Sequence, residues 1–180
     1  MLILASKSPR RLELLKLITT DFVVKTTDAD ETLPAKISPA DAVKYLSKIK
    51  AHPLANGNDV VIGADTVVAA NGKILGKPKN RENAAEMIKM LSGKTHSVFT
   101  GVTIISPQKE ITFCVETKVK FYDLTEDEIN AYVATGECDD KAGAYGIQGK
   151  GSLLVEKIDG DYFNVVGLPV SKLYRELKNL

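Results

Sequence analysis

Two adjacent arginines stand at an unexpected place in the segment ASKSPRRLELL, residues 5–15. Ser8 has the features of a helix N-cap and Pro9 those of a first helical residue, so Arg10 and Arg11 fall in the first turn of the predicted helix. The helix dipole is positive there and favours acids. Two interpretations follow: ordinary surface ion pairs worth roughly 0 to 1 kcal/mol, or an anion such as phosphate, to which arginine offers bidentate contacts.

A single acid, Asp65, interrupts the segment VVIGADTVVA, residues 60–69, whose other members are all Val, Ile, Ala, Gly or Thr. Burying a carboxylate among aliphatic side chains is unfavourable unless it finds a cation, a metal or several hydrogen bonds. Either the strand ends at Gly63 and Asp65 caps a turn, or the strand carries Asp65 into a cleft as a general base or a metal ligand.

Further polar residues could contribute to the same chemistry. Lys77 lies in GKP, and Gln148 lies in the glycine-rich stretch DKAGAYGIQGKG, whose backbone could approach a ligand closely. Asp30 and Glu31 are either surface charge or part of a hard-cation site made of carboxylate and phosphate oxygens. With only two histidines in the chain, zinc is not favoured.

Composition excludes several classes of protein. The chain has 180 residues, 44% of them hydrophobic and 26% charged, which suits one soluble domain. A net charge of +1 excludes a basic protein that coats nucleic acid. No segment is long and apolar enough for a signal peptide or a membrane span. Cys114 and Cys138 form neither a metal-binding nor a disulfide pattern, so a cytoplasmic location is expected.

The elements that must position these residues follow an α/β pattern. Strands are predicted at residues 2–5 and 60–69, in KILGKP, HSVFTGVTIIS and EITFCVETKVKFY, and as two short strands at 153–158 and 163–166. Helices are predicted from Pro9, from Ser38-Pro39 with Lys50 in the last turn, from Asn80 to about Leu91, from Thr125 with Glu128 as a capping box, and near the end. The first helix should bury Leu12, Leu14, Leu15, Leu17 and Ile18. The Asn71-Gly72 hairpin would place Asp65 and Lys77 on paired strands.

Six ordered motifs resemble the Maf family of nucleoside triphosphate pyrophosphatases. They are ASKSPRR with LELL, GADTVV, GKP, LSGKTHSVFTGV, DKAGAYGIQGKG and DYFNVVGLPV, and they extend from Leu4 to Val170. The combination of SPRR, ADT and GIQG resembles the subgroup that acts on dTTP and UTP. At residue 49 an isoleucine stands where the family often has an acid before the lysine.

The resemblance implies a fold and an activity. The fold would be one Maf-like domain over residues 1–180, with a mixed β-sheet flanked by helices and two lobes around a nucleotide-binding cleft, as in inosine triphosphatases. The activity would be hydrolysis of dTTP and UTP to the monophosphate and pyrophosphate, with CTP and modified pyrimidine nucleotides as further candidate substrates. A homodimer would be compatible with the family, whereas nucleic-acid and membrane partners are not expected.

The resemblance also suggests roles for individual residues. Asp65 would accept a proton from the attacking water, and Glu31 and Asp65 are candidate ligands of Mg²⁺ or Mn²⁺. The phosphates would be contacted by Arg11, Lys50 and Lys77 and by the hydroxyls of Ser6 and Ser8. Choice of base would involve Arg10, Thr66 and Gln148. The rival hypothesis is a nucleotide-binding regulator of cell division or septum formation without significant turnover.

Overall fold

The computed structural model describes all 180 residues, and it has the α/β architecture that the sequence predicts. The strands are β1 (Leu2–Ala5), β2 (Val23–Lys25), β3 (Val60–Ala70), β4 (Lys73–Leu75), β5 (Thr95–Ile105), β6 (Glu110–Phe121) and β7 (Val155–Asp159). The helices are α1 (Pro9–Leu15), α2 (Pro39–Ala51), α3 (Arg81–Leu91), α4 (Glu126–Ala134), α5 (Tyr162–Val166) and α6 (Val170–Leu177). None of the helices combines the length and the apolar character needed to cross a bilayer.

The strands form one seven-stranded mixed sheet in the order β2-β1-β3-β5-β6-β7, with β4 paired to β3. Strand β1 is parallel to both β2 and β3, whereas β3 and β4 form an antiparallel hairpin. Asn71 and Gly72 both have positive φ, as a two-residue hairpin turn requires. The mixed sheet and its flanking helices confirm the predicted fold class.

The chain divides into two compact units. The first contains residues 1–66, 99–115 and 163–180, and the second contains residues 67–98 and 116–162. Strands β3, β5 and β6 contribute residues to both units. The first unit holds most of the predicted site residues.

The core of the first unit lies where α2 packs on β3 and β5. A Cβ atom on Gly63 would lie 2.3 Å from the backbone oxygen of Ser47, and one on Gly101 would lie 2.3 Å from the oxygen of Val43. Only glycine permits such a close approach of helix and strand. Gly63 therefore lets the second half of α2 approach β3, and Gly101 lets its first half approach β5.

In the second unit, three rings pack together with their planes nearly perpendicular. His96, Phe121 and Tyr145 have ring centroids 4.8 to 5.3 Å apart. His96 Nε2 and the Tyr145 hydroxyl are 2.7 Å apart and share a hydrogen bond. Burial lowers the pKa of His96 to about 4, so this imidazole is neutral at physiological pH.

Several helix ends agree with the sequence predictions. Ser8, Ser38, Asn80 and Thr125 each cap a helix with the side chain, and Thr125 and Glu128 form the predicted capping box. Helix α1 ends at Leu15, however, so the expectation that Leu17 would be buried is wrong: its side chain is 64% exposed.

Two further predictions are wrong. Residues 163–166 belong to helix α5 and not to a strand; the N–H groups of Gly167 and Leu168 both bond to the oxygen of Phe163 and close the turn. Lys77 lies beyond the end of β4, because the hairpin pairs only residues 68–70 with 73–75. Asp65 and Lys77 are therefore not on paired strands. The short edge strand β2 has three exposed residues and was not predicted.

Candidate active site

The turn between β1 and α1 brings two serine hydroxyls next to the start of the helix. Ser8 has extended backbone angles, and its Oγ accepts a hydrogen bond of 3.5 Å from the N–H of Arg11. Ser6, which is nearly buried, accepts a hydrogen bond of 3.2 Å from the N–H of Ser8. Both hydroxyls keep their own hydrogen for another acceptor.

Arg11 does not extend into solvent as a surface residue. Its Nε donates to the backbone oxygen of Gly167 at 2.8 Å, and its Nη2 donates to Thr66 Oγ1 at 3.1 Å. Gly167 has a φ of +130°, and a Cβ there would lie 3.7 Å from Arg11 Nε. The surface-ion-pair interpretation is therefore wrong for Arg11, whereas Arg10 is half-buried and makes no hydrogen bond or ion pair.

Burial lowers the pKa of the Arg11 guanidinium, and the neighbouring Asp65 carboxylate opposes this shift. Arginine starts from so high a value that it stays charged. The fork is thus a permanent cation that is held in a fixed orientation close to Asp65.

Asp65 lies within β3 and is only 8% exposed, so the alternative that the strand ends at Gly63 is wrong. Its Oδ1 accepts a hydrogen bond from Lys50 Nζ. The same ammonium group lies 3.2 Å from Glu31 Oε1. The close packing at Gly63 explains this arrangement, because Lys50 follows Ser47 by about one helical turn and is carried to Asp65.

Two carboxylates thus share one lysine. The side chains of Lys50 and Asp65 are 17% and 12% exposed, whereas that of Glu31 is 57% exposed. No group of three or more His, Cys, Asp or Glu side chains is arranged to hold a metal ion. Glu31 and Asp65 still fit a Mg²⁺ or Mn²⁺ ion that takes its remaining ligands from phosphate and water, since Mg²⁺ is commonly bound by one or two carboxylates plus substrate phosphates.

Lys77 and Gln148 belong to the second unit and are not among these contacts. Both side chains are exposed and make no hydrogen bond or ion pair. The loop around Gln148 is nevertheless well tied: Glu137 accepts hydrogen bonds from the N–H groups of Lys150 and Gly151, at 2.9 and 3.4 Å. Gln148 therefore extends from a fixed backbone.

Sequence reasoning missed two parts of the site, the Thr100 hydroxyl and the Gly167 carbonyl. Thr100 lies 2.8 Å from the Thr66 hydroxyl and is completely buried. The motifs VFTGV and NVVGL contain both residues, but neither residue type suggests a role without the contacts.

The fold is shared with proteins of the Ham1 class. Solved structures of Ham1 proteins from Staphylococcus aureus and Coxiella burnetii match with TM-scores of 0.56 and 0.52, at 16% and 11% sequence identity. Each match covers 99% of this chain and 98% of the other chain. At this identity the likeness concerns the fold alone.

The sequence itself is more specific. The Maf-like protein family model matches residues 1–180, and the chain belongs to this family. It is 52% identical to a protein of Bacillus cereus and 54% identical to one of Bacillus anthracis, both named dTTP/UTP pyrophosphatase. Each alignment covers 98% of this chain and 94% of the relative.

Proposed function

We propose that this protein hydrolyses dTTP and UTP to the nucleoside monophosphate and pyrophosphate, as one cytoplasmic Maf-like domain over residues 1–180. The observation that carries the proposal is the group formed by Asp65, Lys50 and Arg11: a nearly buried carboxylate beside two cations. The names of relatives more than 50% identical supply the substrate class.

The charges suit a reaction on a polyphosphate. Phosphoryl transfer is catalysed chiefly by positioning and electrostatic stabilisation. Arg11 is already oriented by Thr66 and Gly167, so its fork binds phosphate oxygens with little loss of entropy. Lys50 is held by Asp65 and Glu31, and a phosphate is a stronger anionic partner that draws the ammonium away from them.

That displacement has a consequence for Asp65. While its carboxylate accepts the Lys50 ammonium, one oxygen is occupied. When Lys50 turns toward a phosphate, Asp65 is left free to accept a proton from water, the role of a general base. Substrate binding thus prepares the base.

A divalent cation, when bound, would neutralise phosphate charge and fix the geometry of the triphosphate. Glu31 and Asp65 would hold it. The hydroxyls of Ser6 and Ser8 donate to phosphate oxygens, and Lys77 adds a further cation. Arg10, Thr66 and Gln148 remain the candidates for selecting the base.

One assay of pyrophosphate release distinguishes the proposed function from the rival function, nucleotide binding without turnover. A carboxylate without a cation partner would favour a hydrolase, because a protein that only binds a polyanion gains nothing from it. Asp65 is paired with Lys50, so its presence does not by itself decide between the two functions. Pyrophosphate release is measured with dTTP, UTP, CTP, modified pyrimidine nucleotides, GTP and ATP, each with Mg²⁺, Mn²⁺ or a chelator. We expect turnover of dTTP and UTP that the chelator abolishes and either metal restores. Tight binding without pyrophosphate release would overturn the proposal in favour of the regulator.

A further inference from the structure

We infer that Thr100, a buried residue with no assigned role, is a positioning residue that orders the Arg11 guanidinium through the Thr66 hydroxyl. The inference deepens the proposed function and rests on it for the phosphate-binding role of Arg11. The ordering of the Arg11 guanidinium is nevertheless a property of the free protein.

The direction of every hydrogen bond in this chain of groups is determined. Thr100 Oγ1 lies 2.9 Å from the backbone oxygen of Asn164, and a carbonyl can only accept, so Thr100 donates there. A hydroxyl has one hydrogen, so in the 2.8 Å contact between Thr66 and Thr100 the donor must be Thr66. Thr66 then accepts from Arg11 Nη2 at 3.1 Å.

The path therefore runs in one sense from Arg11 through Thr66 and Thr100 to a backbone carbonyl. Arg11 Nε is separately bound to the Gly167 oxygen, three residues after Asn164. The guanidinium is thus linked twice to residues 164–167, once directly through the Gly167 oxygen and once through the two threonines. Fixing both attachments leaves the fork with one orientation.

Thr66 is restricted by the same argument. Its hydrogen is committed to Thr100 and one lone pair to Arg11, so toward a ligand it has an acceptor but no donor. Without the Thr100 hydroxyl, the Thr66 hydrogen loses its acceptor, and the hydroxyl is free to rotate away from Arg11.

The chain offers a matched control on the same strand. Thr103 is as fully buried as Thr100 and also joins two hydroxyls, with Ser47 at 2.8 Å and Thr112 at 3.0 Å. Its network does not include Arg11. A purely structural role for Thr100 would make Thr100→Val and Thr103→Val equivalent.

The experiment measures hydrogen exchange of the Arg11 Nη2–H group, the donor to Thr66, by ¹⁵N NMR in the nucleotide-free protein, with the signal assigned from Arg11→Lys. Losing one hydrogen bond should speed exchange by roughly 2- to 10-fold in Thr100→Val. Thr100→Ser, which keeps the hydroxyl, and Thr103→Val should stay near wild type. Should Thr100→Val fail to fold, Thr100→Ala removes the same hydroxyl without added bulk and should show the same faster exchange.

Unchanged exchange in Thr100→Val, or equal acceleration in Thr103→Val, would overturn the inference. Kinetics on the same variants tests the proposed function separately: KM for dTTP should rise by about the same factor as the exchange rate, with kcat less affected, because a phosphate contact acts in the ground state too. Faster exchange with unchanged kinetics would support the ordering by Thr100 and refute the phosphate-binding role of Arg11.

Discussion

Replacing Asp65 with asparagine separates binding from catalysis at the proposed site. The amide has nearly the shape of the carboxylate and can still accept a hydrogen bond from Lys50, but it cannot take a proton from water. General-base catalysis typically contributes about 10² to 10⁴-fold. We therefore expect Asp65→Asn to lower the turnover of dTTP by about 100-fold or more.

The affinity for the triphosphate should change little, and it should rise while turnover falls. Asp65 offsets the charges of Lys50 and Arg11, so its neutralisation leaves both cations more attractive to a triphosphate. One unit charge about 4 Å away contributes about 1 kcal/mol when it is screened as in bulk water, or roughly fivefold in affinity. If Asp65 is instead a metal ligand that the substrate complex needs, affinity in the presence of Mg²⁺ should fall.

The loss of the carboxylate should also destabilise the fold moderately. Breaking a wholly buried ion pair costs about 3 to 5 kcal/mol, but Lys50 is 17% exposed and retains Glu31, so we expect about 1 to 2 kcal/mol. Denaturant unfolding measures this cost and shows that the variant is folded in the kinetic assay.

The matched control is Asp59→Asn. Asp59 also pairs with a cation, the N-terminal ammonium at 2.9 Å, and it immediately precedes β3. Pyrophosphate release and calorimetric binding of a non-hydrolysable dTTP analogue are compared in the two variants. Near wild-type turnover in Asp65→Asn would refute the assignment of Asp65 as the base, and equal losses in both variants would trace the effect to charge or stability alone.

The other predictions concern binding, base selection and pH. Arg11→Ala should weaken binding of all triphosphates to a similar extent, because a phosphate contact does not depend on the base. Titration with several nucleotides measures this, and weaker binding of only one of them would contradict it. Gln148→Ala should lower kcat/KM for dTTP and UTP, which corresponds to a loss of roughly 1 to 3 kcal/mol of transition-state stabilisation, because the amide can pair with the carbonyl and N–H edge of a pyrimidine. The effect on purine nucleotides should be smaller. Equal losses for every nucleotide would indicate that Gln148 only supports its loop. Because burial lowers the pKa of His96 from 6.5 to about 4, the unfolded chain takes up the proton first, so stability present above pH 6.5 should decline by about 3 kcal/mol as the pH falls to 4. Urea unfolding at both pH values should show this loss to be smaller in His96→Phe, and an identical pH dependence would contradict it.

The sequence was most informative where local chemistry decides the structure. Serine or threonine before a helix, asparagine-glycine between alternating residues and a capping box are satisfied by backbone groups a few residues away, so they predicted α1, α2, α4 and the β3–β4 hairpin. Motif order also predicted the family and the mixed sheet. The errors at Leu17 and Lys77 concern where an element ends, whereas residues 163–166 were assigned the wrong type of element and the edge strand β2 was missed.

The sequence also indicated that Asp65 and Arg11 were anomalous, because each places a charge where local energetics disfavour it. It could not show which partners compensate them. Asp65 is paired with Lys50 only because Gly63 lets α2 approach β3, and Arg11 is anchored by Thr66 and Gly167. These partners are 15 to 156 residues away along the chain. Tertiary packing alone decides such contacts. A buried charged side chain requires a hydrogen-bonding partner, but the local sequence does not specify which distant residue provides it.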